Sequence, residues 1–517
     1  MTRQDGYVTT GAEIVVDRLT AGGVEVCFAN PGTSEMHFVA ALDSAPQMRA
    51  VLCLFEGVAT GAADGYARIA GKPAATLLHL GPGMANGLAN LHNGRRAHSP
   101  IVNVVGDHAT YHQKLDAPLQ SDIDALGHWL TGTVHRPASS NELAQTVDAA
   151  VAAATLGRIA TLVLPADLSW GDAELGDAAA PSVTTEQVEE ETGDAADIAQ
   201  LLKSSGQEAV LLLGGAATGT DELHAAARIS AATGARVLIE TFPARLTRGR
   251  GVPNLPRLGY FAELAQQQLK GARHLIIAGA RSPVTFFAYP NLPGDLVPAG
   301  ATVHNLGPGR LETVAELLGA QELPDSTVSP APLPSGPLRP DNWAAVVGAL
   351  LPEGAIISDE ANTSGLLLPD ATAASPTHDV LTLTGGAIGQ GLPVAVGAAI
   401  AAPHRPVIAL QSDGSAMYTI SALWTMAREQ LDITVVILDN RAYAILQIEL
   451  ARVGASAGGP KARSLLDLAN PNLDFVAIAE GFGVPAKRAT TAEELAEHFS
   501  AALAEPGPHL IDAVLAK

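Results

Sequence analysis

Short continuous apolar runs, rich in Val, Ile and Leu, alternate along this chain with longer Ala-rich stretches. Ile101–Val105 and Ala160–Leu164 lie in the first third. Ala209–Leu213, Arg236–Ile239 and His274–Ala278 lie in the middle. Ala355–Ile357, Pro406–Leu410, Ile433–Leu438 and His509–Val514 lie in the last third. Runs of this length without polar alternation predict strands buried on both faces, and the stretches between them predict the helices that cover those faces. The pattern predicts an α/β fold of doubly wound parallel sheets. Two stretches interrupt it: residues 171–197, rich in Ala, Glu, Asp and Thr, and residues 323–340, with six prolines. Both read as linkers. They divide the chain into three α/β domains, at 1–172, 195–322 and 341–517. No short-period repeat is visible.

Composition agrees with this division. A chain of 517 residues is too long for one ordinary core, and 47% hydrophobic against 16% charged residues suits large buried cores. The net charge of −22 argues against nucleic acid or an anionic membrane as partner, although a local site can still hold a small anion. Cys27 and Cys53 sit in apolar runs and read as buried free thiols, which suits a reducing, cytoplasmic location. Residues Met1–Gly6 lack an apolar signal core. Leu392–Ala402, the best apolar stretch, is broken by Pro393 and too short to span a bilayer.

The strongest chemical signal is in the last third. An apolar strand ends at Ser412-Asp413-Gly414-Ser415 and leads to a helix expected over Thr419–Glu429. The next strand ends at Asp439-Asn440-Arg441-Ala442-Tyr443, so Asn440 follows Asp413 by 27 positions, one helix and one strand. A right-handed crossover of that length puts both side chains at the carboxyl ends of parallel strands, where open α/β sheets bind ligands. A carboxylate and an amide oxygen are hard ligands suited to Mg²⁺. Gly414 lets a diphosphate approach the backbone, a helix start offers N–H groups, and Ser415 can add a hydroxyl. Asp413-Gly414-Ser415 taken alone is an ordinary turn and cap; Asn440 at this spacing changes the balance. Cys53-Leu54-Phe55-Glu56 is a second signal: a Glu ends an apolar strand and opens the small-residue helix Glu56–Arg68. A buried carboxylate is costly without a partner.

These residues resemble the signature of thiamine-diphosphate enzymes, a Gly-Asp-Gly followed by Asn, with Ser412 standing where the family usually has Gly. The resemblance extends over almost the whole chain. It is strongest to the benzoylformate decarboxylases and next to the acetolactate (acetohydroxyacid) synthase large subunits. It implies pyrimidine-binding, middle and diphosphate-binding domains in that order. It also implies that Asp413, Asn440 and the main-chain oxygen of Ala442 hold Mg²⁺. Glu56 would share a proton with the aminopyrimidine ring and activate thiamine diphosphate. In Gly385-Gly386-Ala387-Ile388, the resemblance implies a backbone contact from Gly386 to the pyrimidine and makes Ile388 the apolar prop that bends the cofactor. Glu360 and Asn362 fall where relatives line the cofactor entrance and diphosphate.

On the substrate side, Asn30-Pro31-Gly32-Thr33-Ser34-Glu35 resembles the decarboxylase loop, with Thr33 implied to bind the substrate carboxylate; a turn capped by Thr33 fits the same residues. His79, in Leu78-His79-Leu80-Gly81-Pro82-Gly83, matches the decarboxylase acid/base histidine. The decarboxylases' second histidine has no counterpart in Pro283–Pro290, where Phe286, Phe287 and Tyr289 form an apolar wall instead. The implied activity is non-oxidative decarboxylation of a small 2-oxo acid. Its outcome is open between release of an aldehyde and carboligation to a second carbonyl, as in the synthases. FAD is not expected, since the middle block carries no FAD signature. A rival of another class is a dinucleotide-binding oxidoreductase, from Leu211–Gly219 with Glu240 ending the next strand, but it explains neither Glu56 nor Asp413 and Asn440. In relatives the Glu and the metal site meet across two chains, so a homodimer or homotetramer with shared sites is implied.

Overall fold

The computed structural model describes residues 9–131, 133–173, 193–289, 292–324, 332–454 and 458–516. The N-terminal stretch Met1–Gly6, most of the first linker, the centre of the second and Pro290 lie outside the described residues.

Three sheets organise the chain. The first contains β1 (Val26–Asn30), β2 (Arg49–Leu52), β3 (Ala74–Leu78), β4 (Ile101–Asp107), β5 (Val134–His135) and β6 (Ile159–Pro165). Its order is β2-β1-β3-β4-β6-β5, and every pair is parallel. The middle segment supplies β7 (Ala209–Leu213), β8 (Arg236–Ile239), β9 (Leu246–Arg248), β10 (His274–Ala278) and β11 (Thr302–Asn305). Four of these form a parallel sheet in the order β11-β10-β7-β8. The last segment supplies β12 (Ile356–Glu360), β13 (His378–Thr382), β14 (Val407–Ser412), β15 (Ile433–Asp439), β16 (Ala486–Ala489) and β17 (His509–Val514). That sheet runs β16-β17-β15-β14-β12-β13-β9. β9 therefore leaves the middle segment and pairs antiparallel with β13, Val380 opposite Leu246.

The expected strands are present, because continuous β-branched runs are stable only when both faces are covered. β4, β6, β7, β14 and β15 are buried along their whole length. Two local expectations are corrected. Pro393 does not break its apolar run but sits in the first turn of the helix Gly391–Ala401, where its missing N–H would be unbonded anyway. The helix expected over Thr419–Glu429 runs only over Ala422–Arg428, while a separate short turn of helix begins at Asp413 itself.

The first and last sheets meet through the helices Glu56–Ala70 and Gly391–Ala401. Their facing residues are small. A Cβ on Gly65 would lie 2.1 Å from the Val394 carbonyl oxygen, and one on Gly397 would lie 1.9 Å from that of Ala62. At the far end of the first helix, Arg68 is salt-bridged to Asp64 in the interior and donates to the carbonyl oxygen of Thr382, 2.8 Å away. The helix that carries Glu56 is thus fixed to the strand leading into Gly385–Gly389.

Candidate active site

One group of the expected residues collects at the carboxyl ends of β12, β14 and β15. Asp413 is 2% exposed, and its carboxylate accepts from the N–H groups of Gly414 (2.7 Å) and Arg441 (2.6 Å). It is thereby joined to the Asn440–Ala442 turn, where Asn440 Oδ1 accepts from Ala442 N–H at 2.9 Å and Arg441 has a positive φ of 60°. Asn362 donates to Ser412 Oγ at 3.3 Å, which brings it to the same strand end. The Ser415 hydroxyl is engaged by Gln411 and Ser412 and is 2% exposed. The expected hydroxyl of Ser415 is thus already occupied within the chain.

These residues fit a divalent cation. Burial raises the pKa of Asp413; burial, and then the neighbouring Asp413 charge, push Asp439 to about 6. Two carboxylates are held together, while the Arg441 guanidinium donates to the Leu515 carbonyl oxygen at 2.9 Å and offsets their charge only in part. A hard dication would supply the missing positive charge, and the donors present (carboxylate, amide and carbonyl oxygens) suit Mg²⁺.

The loop at 385–391 is locked from two sides. Glu360, 2% exposed, accepts from the N–H groups of Gly389 and Gly391, each at 2.6 Å, and from Gln411 at 3.0 Å. Burial pushes its carboxyl up to about 7. From the other side the helix Leu80–Arg96 grips the loop. Asn93 Nδ2 donates to the Ala387 carbonyl oxygen at 2.7 Å, and Asn90 bridges the carbonyl oxygens of Gly57 (2.7 Å) and Gly389 (3.4 Å). Gly386 adopts φ +76°, a conformation suited to glycine. Ile388 is half-buried and so projects from the loop instead of filling a core.

The other group of expected residues collects at the carboxyl ends of β1, β2 and β3. Glu56 opens its helix, is 7% exposed, and accepts from Asn86 Nδ2 at 3.0 Å. His79 follows β3 directly. Its Nδ1–H donates to Glu35 at 2.8 Å, which leaves Nε2 as the atom able to give or take a proton. Glu35 is 2% exposed; burial raises its pKa, against the lowering effect of the Gly32 N–H and His79. Thr33 is exposed and opens a short 3₁₀ turn, but it is not the cap: Gly32 occupies that position, and its N–H is held by Glu35 at 2.8 Å. Among the described residues no hydrogen bond joins Glu56 to Asp413 or Asn440 within the chain.

Glu35, Asn86, Asn90 and Asn93 were not singled out from the sequence. For the asparagines a signal existed, since positions 86, 90 and 93 share one face of the helix Leu80–Arg96. Glu35 gave none, because its partner lies 44 positions away. In the middle sheet, Glu240 accepts from Gly215 N–H at 3.2 Å, so the glycine turn that suggested a dinucleotide is bonded to the chain's own acid.

The geometry defines an α/β chain with a buried carboxylate, Asp413, bonded to the Asn440–Ala442 turn at one set of strand ends and a second buried carboxylate, Glu56, at another. Residues 9–128 match the family model "Thiamine pyrophosphate enzyme, N-terminal TPP binding domain", and residues 370–513 match its C-terminal TPP binding domain. The chain is 59% identical over 515 residues to a Mycobacterium tuberculosis protein named "Putative acetolactate synthase large subunit IlvX", covering 98% of this chain and 99% of that one. It is 31% identical over 528 residues to the benzoylformate decarboxylase of Pseudomonas aeruginosa, covering 95% and 96%. The solved structure of the thiamine diphosphate-dependent 4-hydroxybenzoylformate decarboxylase of Rhodococcus jostii RHA1 superposes with a TM-score of 0.84 at 26% identity, covering 98% of this chain and 99% of that one. The chain belongs to the thiamine pyrophosphate enzyme family. Among the described residues no helix is long and apolar enough to cross a membrane.

Proposed function

We propose that this enzyme decarboxylates a small 2-oxo acid with thiamine diphosphate and Mg²⁺, and that its site is shared between two copies of the chain. Residues 1–172 bind the pyrimidine, 341–517 bind the diphosphate, and 195–322 form the middle domain. The observation that carries the reading is His79 held by buried Glu35 at the same strand ends as Glu56: a fixed acid/base beside an activating carboxylate. Bound thiamine diphosphate supplies the nucleophilic carbon and the electron sink for loss of CO₂. Asp413, Asn440 and the Ala442 carbonyl oxygen hold Mg²⁺, and Gly414, Ser415 and Asn362 line the diphosphate. Gly386 and Ile388 shape the pyrimidine end. Glu56, oriented by Asn86, exchanges a proton with the aminopyrimidine nitrogen. Thr33 offers its hydroxyl to the substrate carboxylate, and His79 Nε2 holds or delivers a proton at the substrate oxygen or carbon.

A carboligase outcome is favoured by one feature of the wall at 283–289. The stretch carries Phe286, Phe287 and Tyr289 and no histidine, so it offers no second acid/base group to protonate the reacting carbon. The relative at 59% identity carries a synthase name, which supports the same reading. Buried Cys27 and Cys53 suit a cytoplasmic enzyme. The test is CO₂ release by the Mg²⁺- and cofactor-loaded protein across a panel of 2-oxo acids, with aldehyde and acyloin products quantified. CO₂ release is expected with at least one small 2-oxo acid. No release from any member would overturn the assignment.

A further inference from the structure

The loop that follows β10 is the part of the middle segment aimed at the cofactor loop. The tip of the Phe286 ring reaches Gly386 so closely that a Cβ there would stand 2.4 Å from Phe286 Cζ. Phe286 belongs to an aromatic group, with ring centroids 5.9 Å from Phe242, 5.2 Å from Tyr260 and 5.1 Å from Phe287. With Phe261 and Tyr289 the group uses six of the chain's 10 Phe and 7 Tyr. A chain so poor in aromatics has concentrated them here, yet Phe286 and Phe287 are 42% and 54% exposed. Both rings are left open to solvent in the single chain, and Phe286 stands against Gly386.

The wall is also clamped. Arg452 lies over the rings of Phe261 (4.3 Å) and Tyr289 (4.8 Å) and donates to Glu263 and Glu449, each at 2.8 Å. Tyr289 donates its hydroxyl to Glu449 at 2.9 Å. Arg452 and Glu449 lie on the helix Ala444–Arg452, which leaves the Asn440–Ala442 turn directly and has no buried residue of its own. The wall is therefore held between the cofactor loop and the helix that continues from the metal turn.

We propose that Phe286 is a specificity-determining residue: it closes the substrate side of the site beside Gly386 and restricts the enzyme to 2-oxo acids with a compact, uncharged side chain. Arg452, Glu449 and Tyr289 are positioning residues for this wall. The size limit follows because the ring stands against the loop and packs on Phe242 and Tyr260, which oppose its retreat. The charge limit follows because ring carbons offer an ionic side chain no partner once water is displaced. The inference rests on the proposed 2-oxo acid chemistry, and its test separates the two.

The test uses monomethyl acylphosphonates, which copy the charge and carbonyl of 2-oxo acids but cannot lose CO₂. Acetyl- and benzoylphosphonate are titrated into the full-length protein loaded with Mg²⁺ and thiamine diphosphate. Wild type is expected to prefer the acetyl compound. Phe286→Ala should shift the affinity ratio toward the benzoyl compound by about tenfold or more, the scale on which a pocket discriminates by size. Thiamine diphosphate affinity should stay unchanged. Phe286→Leu, which keeps an apolar core partner, should shift the ratio less in the same direction, and it decides the matter if the alanine variant does not fold. Arg452→Met should move the ratio the same way by loosening the wall. An unchanged ratio in a cofactor-binding variant would overturn the proposal, as would failure of wild type to bind either analogue. A shifted ratio in a protein that releases no CO₂ from any 2-oxo acid would support the wall while removing the decarboxylase reading. CO₂ release with an unmoved ratio would do the reverse.

Discussion

At the residue scale the site depends on side chains whose chemistry is set by one neighbour each. His79 is an ordinary histidine until Glu35 takes its Nδ1–H and fixes which nitrogen faces outward. Glu35→Gln keeps the shape but removes the charge, and kcat should fall on the order of 10²-fold with cofactor affinity unchanged. If the pair acts as a unit, combining Glu35→Gln with His79→Ala should cost no more than His79→Ala alone. Steady-state kinetics of the double-mutant cycle decide this, and additive losses would show that the two act separately. Asp413 shares its turn with a second carboxylate. Its carboxylate and that of Asp439 repel within a buried turn, which a dication would relieve. Asp413→Ala should abolish Mg²⁺-dependent binding of thiamine diphosphate in titration calorimetry; wild-type binding would remove Asp413 from the metal site.

At the element scale, the close approach of two helices decides where Glu56 sits. Helix Glu56–Ala70 meets Gly391–Ala401 through residues so small that backbone touches backbone. Gly65→Ala should lower stability by about 1–3 kcal/mol, as overpacking does, although alanine gains up to about 1 kcal/mol in helix propensity. The urea midpoint measures it. Gly481, at the end of another helix, is the control, because a Cβ there meets nothing within 4 Å. Gly481→Ala should be neutral or stabilising, and equal behaviour of the two variants would show that the helix contact does not set the spacing. The helix Leu80–Arg96 has a different task. Through Asn86 it orients Glu56, and through Asn90 and Asn93 it holds the loop that carries Gly386 and Ile388.

At the scale of the whole molecule, no hydrogen bond among the described residues joins Glu56 to Asp413 or Asn440 within one chain. Tyr418, Leu446 and Leu465 are exposed near the Asp413 and Asn440 turns, Leu465 at 79%, and such surface suits burial against a second copy. Light scattering of the active protein should give at least a dimer, since Glu56 and Asp413 must both reach one cofactor. Full activity from a monomer at assay concentration would sink the shared site. The net charge of −22 makes such an assembly repel polyanions on the whole.

The sequence by itself determined the parallel α/β class and the positions of the long strands, because apolar β-branched runs have one stable use. It also determined the pairing of Asp413 with Asn440, because one crossover of fixed length brings successive strand ends together. Local sequence could not show that β9, only three residues long, joins the third sheet, since its partner β13 lies more than a hundred positions away. The tertiary structure alone decided that Glu35 holds His79, that Asn90 and Asn93 grip the cofactor loop, and that Phe286 stands against Gly386. Each of these is a contact between segments far apart in the chain, whose geometry depends on how the sheets pack and not on the preferences of the residues involved.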